Sequence, residues 1–243
     1  MRSDPDPFGR ALLDWARGGT DPAYFERPDG VVGPGAGHEF YLAASRAWPS
    51  AERGALRHVR GRVIDLGTGA GRVPLHLQER GFDVVAVDLS KRAIEAARLR
   101  GVRKAWCMSA HEVKGELKEF DTIVLFGNNF GMFGGPDHVR RTLADWARLT
   151  HPGTRILAES TDPYGGGAPC LDRRYYRRNK SLGRAPGHIR LRTRYRERVG
   201  PWSDWLFVSR RDMRALLRGT GWHVQKTYGG LPSEPFVAVL EKS

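Results

Sequence analysis

Residues 63–88 read Val63-Ile-Asp-Leu-Gly-Thr-Gly-Ala-Gly-Arg-Val-Pro-Leu-His-Leu-Gln-Glu-Arg-Gly-Phe-Asp-Val-Val-Ala-Val-Asp88. A short apolar run (63–66) enters a turn in which Gly67, Gly69 and Gly71 alternate. A helical pattern over 72–78 follows, and 83–87 is a second, β-branched run. Without β-carbons the three glycines let the backbone turn sharply and let a ligand lie against it, while the first turn of the helix offers unpaired N–H donors. Asp65 stands just before the turn, and Asp88 closes the second run, where an acid can accept hydrogen bonds from both hydroxyls of a ribose. A dinucleotide-binding turn reads G-x-G-x-x-G, with its third glycine one residue later. Arg72 occupies that position. The spacing therefore disfavours a nicotinamide or flavin enzyme.

The same alternation continues outward from this stretch. A helix is expected at 91–99, strands at 102–106 and 122–126, a helix at 136–149 and a fifth strand at 155–159. Near-continuous apolar strands separated by amphipathic helices predict a doubly wound, mainly parallel sheet with helices on both faces. Upstream, residues 1–60 mix amphipathic pieces with breakers: a helix at 8–15, a loop at 28–37 and a second helix at 38–48, read together as an N-terminal helical lid. Downstream, the Gly- and Arg-rich stretch 162–201 departs from the rhythm and contains one strongly alternating segment (188–198) that suits a solvated antiparallel strand. A strand at 205–208, a helix from Arg210 whose start carries Ser209 and Asp212 in capping spacing, and strands at 222–228 and 236–241 complete the reading.

The 243 residues suffice for one α/β domain with appendages, here 61–243 carrying the 162–201 insert behind the 1–60 lid. Hydrophobic residues make up 40% and charged residues 28%, a globular balance. The formal charge of +13 suits an anionic partner or a nucleic acid, but an arginine-rich composition produces the same excess. Cys107 and Cys170 have neither metal-ligand spacing nor the density of a disulfide scaffold and read as free thiols; no metal is expected. The first residues lack the apolar core of a signal peptide and no later run reaches the about 18 apolar residues that span a bilayer, so a cytoplasmic protein with no membrane partner is expected.

The stretch from Asp65 through the glycines to Asp88 resembles the first two motifs of the class I S-adenosylmethionine methyltransferases, D-x-G-x-G-x-G and an acid ending the second strand; the resemblance runs over residues 63–242. It implies a Rossmann-like, seven-stranded sheet whose final strand is antiparallel, with S-adenosyl-L-methionine as cofactor. It also implies that Asp65, Gly67, Thr68, Gly69 and Gly71 hold the methionine end, that Asp88 binds the ribose, that Ser109 and Ala110 lie by the adenine, and that Leu89 belongs to the cofactor-binding set. Family members often carry an acid at that last place; here Met108-Ser109-Ala110 has none. Phe126 and Gly127 fall at the end of the fourth strand and complete the cofactor set.

Methyl transfer from a sulfonium is an in-line displacement, so placing the nucleophile supplies much of the rate and a base is needed only where the acceptor has a proton to lose. Acceptor residues are expected in the loops after the strand at 122–126 and after Glu159. In the first, Asn128 and Asn129 stand among Phe130, Phe133 and glycines; Asn128 is a candidate for orienting the acceptor, and turn geometry explains both asparagines equally well. The loop shares only its Asn and aromatic with the N-P-P-[YF] pattern of base-amino methyltransferases. In the second, Glu159 and Asp162 are candidate bases, with capping or ion pairing as the alternative. His38, in the lid, is a third candidate base. The arginines at 173, 174, 177, 178, 184, 190, 192, 194, 196 and 198 describe either a phosphate-binding surface or the wet face of a strand. These features favour a small-molecule or peptide-like acceptor, with a tRNA or rRNA methyltransferase and a non-catalytic S-adenosylmethionine-binding regulator as the alternatives.

Overall fold

The computed structural model describes residues 1–165, 172–229 and 234–243. The chain opens with β1 (Arg2–Ser3), helix α1 (Pro7–Ala16), the hairpin β2 (Ala23–Glu26) and β3 (Val32–Pro34), and helices α2 (His38–Tyr41) and α3 (Ser50–Ala55). Then come β4 (Val63–Leu66), α4 (Arg72–Glu79), β5 (Val84–Asp88), α5 (Lys91–Leu99), β6 (Ala105–Cys107), β7 (Thr122–Leu125), α6 (Pro136–Leu149) and β8 (Arg155–Thr161). The remainder is α7 (Arg173–Ser181), β9 (His188–Tyr195), β10 (Arg198–Val199), β11 (Ser203–Leu206), α8 (Arg210–Leu217), β12 (Trp222–Gly229) and β13 (Pro235–Lys242).

Among the described residues, the larger sheet has seven strands in the order β12-β13-β8-β7-β4-β5-β6. Neighbours from β8 to β6 pair in parallel, and β13 runs antiparallel to both β8 and β12. The strands are apolar on both faces because both are covered. Ile64, Val85, Ile123 and Ile156 pack under α6 and α8 through Val139, Leu143, Trp146, Met213 and Leu217. Val63, Val84, Val124 and Leu157 pack under α3 and α4 through Ala51, Ala55, Val73 and Leu77. Trp146 is fully buried, and removing such a ring typically costs about 3–5 kcal/mol. The doubly wound sheet with its antiparallel last strand is thus observed.

The second sheet, of six strands among the described residues, was not expected. Its order is β1-β10-β9-β2-β3, with β11 on the remaining part of β9. The N-terminal segment is therefore not wholly helical: β2 pairs with β9 across Phe25 and Thr193, and the predicted loop at 28–37 holds β3. The predicted helix at 38–48 is broken into α2 and a short 3₁₀ turn at Ser45–Ala47. The strand predicted at 102–106 is shorter and later, at β6, and the one predicted at 205–208 is β11, which joins the small sheet. The insert also contains α7, capped by Asp172, whose polar face masks its helical period. Cys170 and the turn residues 230–232 lie outside the described residues; Cys107 is free and exposed.

Ion pairs tie the small sheet together. Arg192 and Arg194 both donate to Glu26 Oε2, at 2.8 and 2.7 Å, Arg196 reaches Asp14 and Asp21, and Arg198 reaches Asp4. Arg27, stacked over Tyr175, bonds Asp29 and Asp172. These arginines hold the two distant parts of the chain against each other. The α1 helix, started by Asp6 and Pro7, seats the sheet on α5: Asp6 accepts from Ser90 Oγ at 2.7 Å, and Gly9 lies so close to that hydroxyl that a β-carbon would fall 2.0 Å from it.

Candidate functional site

The strand order reverses at β4 and β7, and in an open α/β sheet ligands bind beyond the carboxyl ends of the strands at such a switch point. A cavity of about 740 Å³ lies there, between the larger sheet and the small one. Its floor comes from the ends of β4, β5, β6, β7 and β8; its roof comes from α1, the β2–β3 hairpin, α2, β9 and β11.

The floor is ordered by backbone contacts that the glycines permit. Gly67 and Thr68 donate to the Val87 carbonyl at 2.8 and 3.0 Å, which pins the turn to β5. Gly69 donates to Asp88 Oδ2 and Ser90 to Asp88 Oδ1, both at 2.9 Å. The glycines divide their work. At Gly67 a β-carbon would meet the Asn129 amide at 2.4 Å, and at Gly71 it would meet Val102 at 2.6 Å, so these two allow close packing. At Gly69, with φ +56°, the nearest side chains stand 3.7 Å or more from the β-carbon position; at Gly127, with φ +72°, none stands within 4 Å. Both line the cavity, and a side chain on either would project into ligand space.

Asn129, buried, donates to the carbonyls of Leu66 and Gly67 at 2.9 and 3.0 Å and so locks the loop after β7 onto the glycine turn. Asn128 takes a left-handed conformation (φ +64°), accepts from Thr161 Oγ1 at 2.8 Å and receives the Trp205 indole N–H on its carbonyl at 3.1 Å. Turn geometry thus accounts for both asparagines, and Asn128 also lines the cavity.

Carboxyl groups gather at this floor. Burial pushes Asp65 up to about 7, with Asp88 and Glu52 adding to the push and Thr68 and Arg72 opposing it. Asp88 is also raised, chiefly by burial, against the lowering effect of its two N–H donors. Glu159, which accepts from the Gly127 N–H at 3.0 Å, is raised well above the usual carboxylate range by burial and then by the neighbouring Glu52. Arg72 is the cation among them. It grips Glu52 with two hydrogen bonds of 2.5 and 2.6 Å, and its guanidinium lies 4.5 Å from the Phe40 ring and 4.7 Å from the Trp48 ring. Tyr41, pushed up to about 12 by burial, closes this corner. Buried acids outnumber the guanidinium here, which suits a ligand with a positive charge.

Of the sequence-derived candidates, Asp65, Gly67, Thr68, Gly69, Asp88, Leu89, Ser109, Ala110, Phe126, Gly127, Asn128 and Glu159 all line the one cavity. Gly71 lies behind it, packed on α5 and Val102. His38 does not join the wall; its Nδ1 stands 3.4 Å from Glu39. Asp162 stays out of it too, accepting from the Tyr164 N–H. Glu52, Phe25 and Trp205 were not read from the sequence. Glu52 sits in a short helix whose acid resembles any solvated one, and Phe25 and Trp205 are brought to the site only by the small sheet.

Residues 63–153 match the family model described as a methyltransferase domain. A glycine/sarcosine N-methyltransferase of Aphanothece halophytica is 34% identical over 110 residues, 41% of this chain and 40% of that protein. A probable non-canonical nonribosomal peptide synthetase of Salinispora arenicola is 29% identical over 128 residues, 49% of this chain and 2% of that protein. The chain therefore spans less than half the length of either curated relative. In overall fold it is similar to an S-adenosylmethionine-dependent methyltransferase from Bacteroides fragilis solved with S-adenosyl-L-homocysteine, with a TM-score of 0.81 and 24% identity over 100% of this chain and 97% of that one. The D-x-G-x-G-x-G turn and the acid ending β5 fall within the residues that match the methyltransferase-domain model, and the sheet order gives the chain a Rossmann-like fold similar to that of S-adenosylmethionine-dependent methyltransferases.

Proposed function

We propose that the chain transfers the methyl group of S-adenosylmethionine to a small-molecule or peptide-like acceptor held under the small sheet. The observation that carries the reading is the single cavity whose floor bears the glycine turn, Asp65 and Asp88 and whose roof bears Phe25, Thr193 and Trp205. Residues 1–60 and the insert 162–201 serve as the substrate cover, since β2, β3 and β9 supply much of that roof.

The donor set fits the cofactor. The open faces of Gly69 and Gly127 give it room, and the surplus of buried carboxyls matches its cationic groups. Asp65 meets the methionine ammonium, Asp88 accepts from the ribose hydroxyls, Leu89, Ser109 and Ala110 border the adenine, and Phe126 and Gly127 wall the centre. Bound there, S-adenosylmethionine supplies an electrophilic methyl on a sulfonium. Asn128, held by Thr161 and Trp205, orients the acceptor, and the aromatic roof excludes water from it. Glu159, raised above the usual carboxylate range by burial and by Glu52, accepts from the Gly127 N–H and walls the centre as a hydrogen-bonding group.

Incubation with methyl-labelled cofactor and separated extract fractions tests the reading. Label is expected in the small-molecule or peptide fraction. Label confined to RNA would replace it with a nucleic-acid methyltransferase, and tight S-adenosylhomocysteine binding with label in no fraction would leave a non-catalytic cofactor-binding regulator.

A further inference from the structure

The acceptor half of the cavity differs from the protein as a whole in charge. The chain carries a formal +13, yet among the described residues the cavity wall includes one Arg and no Lys. That Arg72 is already bound by both carboxylate oxygens of Glu52 and enclosed by Phe40 and Trp48.

The arginines of β9 are kept out by strand alternation. Leu191 and Thr193 face the cavity, whereas Arg192 and Arg194 lie on the other face, paired with Glu26. Opposite Thr193 in the register stands Phe25, also in the wall. Around them the roof presents Phe8, Phe40, Trp205 and Phe207. The charged side chain it contributes is Asp204, which is 3.3 Å from His188 Nε2. The imidazole in the wall, His111, belongs to the floor beyond β6, edge-on to Phe133 at 5.4 Å.

A carboxylate taken from water against this roof would lose its hydration with no Lys or Arg among the roof's described residues to replace it, whereas a flat ring would gain contact on several aromatic faces. Resting on the methyltransferase reading above, we infer that the acceptor is a planar aromatic or heteroaromatic molecule that is neutral or cationic and carries no carboxylate beside its ring. Phe25, Trp205 and Phe207 clamp the ring, and Asp204 sets the charge preference. The substrates in the name of the glycine/sarcosine relative, small amino acids with a free carboxylate, do not suit this roof.

The test uses the full chain. Binding of S-adenosylhomocysteine is titrated first, by calorimetry, and its absence would defeat the parent reading and this inference with it. With that ligand saturating, three probes of one shape are compared: 3-hydroxybenzamide, 3-hydroxybenzylamine and 3-hydroxybenzoate, with glycine and sarcosine alongside. The amide and the amine are expected to bind at least about tenfold more tightly than the benzoate, and the two amino acids to show no saturable binding. Trp205→Ala should weaken the amide and amine by about tenfold, Trp205→Phe should restore most of the loss, and S-adenosylhomocysteine affinity should stay within about twofold in both. Equal or tighter binding of the benzoate, saturable binding of glycine or sarcosine, or failure of all three ring probes on the cofactor-loaded protein would each overturn the inference while leaving the parent reading standing.

Discussion

The floor of the cavity is drawn from one stretch of chain, 65–161, in which each strand of a parallel sheet ends in its own short loop. Its roof joins strands from residues 2–34 to strands from residues 188–206 and is held by arginine–carboxylate pairs between the two. The floor gathers buried acids around a glycine turn; the roof gathers aromatic rings and turns its arginines outward. On the proposed function, the charged cofactor and the aromatic acceptor would therefore meet in one cavity from surfaces of opposite chemistry. Changes to the floor should be read in cofactor binding, and changes to the roof in acceptor binding or in stability.

The largest separation is expected from Asp65→Asn. Loss of the carboxylate should weaken S-adenosylhomocysteine by about 30-fold or more, as a buried charge-assisted contact is worth roughly 2–3 kcal/mol. The ligand-free variant should nonetheless be more stable than the parent at pH 8. Asp65 in the folded protein titrates at about 7, above its unfolded value near 4, so the folded state binds the extra proton between those values and loses stability as pH rises through them. Asparagine carries no such cost, and its gain above neutrality should be about 1–3 kcal/mol, readable by denaturant titration. A variant that loses stability at pH 8 would show that Asp65 serves the fold rather than the ligand.

The same group gives the next effect. If the ionised Asp65 receives the ammonium of the cofactor, affinity should rise by about tenfold from pH 6 to pH 8 in the parent and stay nearly flat in Asp65→Asn. A parallel slope in both proteins would move the proton linkage to another of the floor's acids.

The roof answers to Glu26. Glu26→Gln leaves Arg192 and Arg194 without their shared carboxylate and should lower stability by about 1–2 kcal/mol, since both guanidiniums remain partly solvated, while S-adenosylhomocysteine affinity changes by no more than about twofold. A large loss of cofactor affinity would mean that the two surfaces are not independent.

How legible each surface is in the sequence follows from the same contrast. The glycine turn, Asp65 and Asp88 lie within one strand–turn–helix–strand unit, so spacing alone brings them together. The five-strand rhythm from β4 to β8 was readable for the same reason: strands covered on both faces are apolar throughout. The roof gives no local signal. Phe25 and Thr193 become neighbours through a pairing 168 residues apart in sequence, across a hairpin whose Pro28-Asp29-Gly30 reads simply as a loop. The i, i+2 arginines of β9 did disclose a strand with a polar face, but their partners Asp4, Asp14, Asp21 and Glu26 lie in a segment that reads as a helical lid. Arg72 could be noted only as the absence of a glycine; its grip on Glu52 is a tertiary fact.

The smallest effect concerns nucleic acid. Because Arg192, Arg194, Arg196 and Arg198 are each engaged by acids of the N-terminal segment, RNA retention should be weak, with a log–log salt slope of magnitude below about 3. A steep slope would return the arginine-rich face to the list of binding surfaces.

Calorimetric titration of S-adenosylhomocysteine into the parent and into Asp88→Ala, run side by side, addresses the cavity floor most directly. Saturable one-to-one binding by the parent, weakened by at least about 30-fold in Asp88→Ala with the fold retained, is the expected outcome, because Asp88 braces the Gly69 N–H and, on the proposed function, receives the ribose. Equal affinity in the two proteins, or none in the parent, would contradict it.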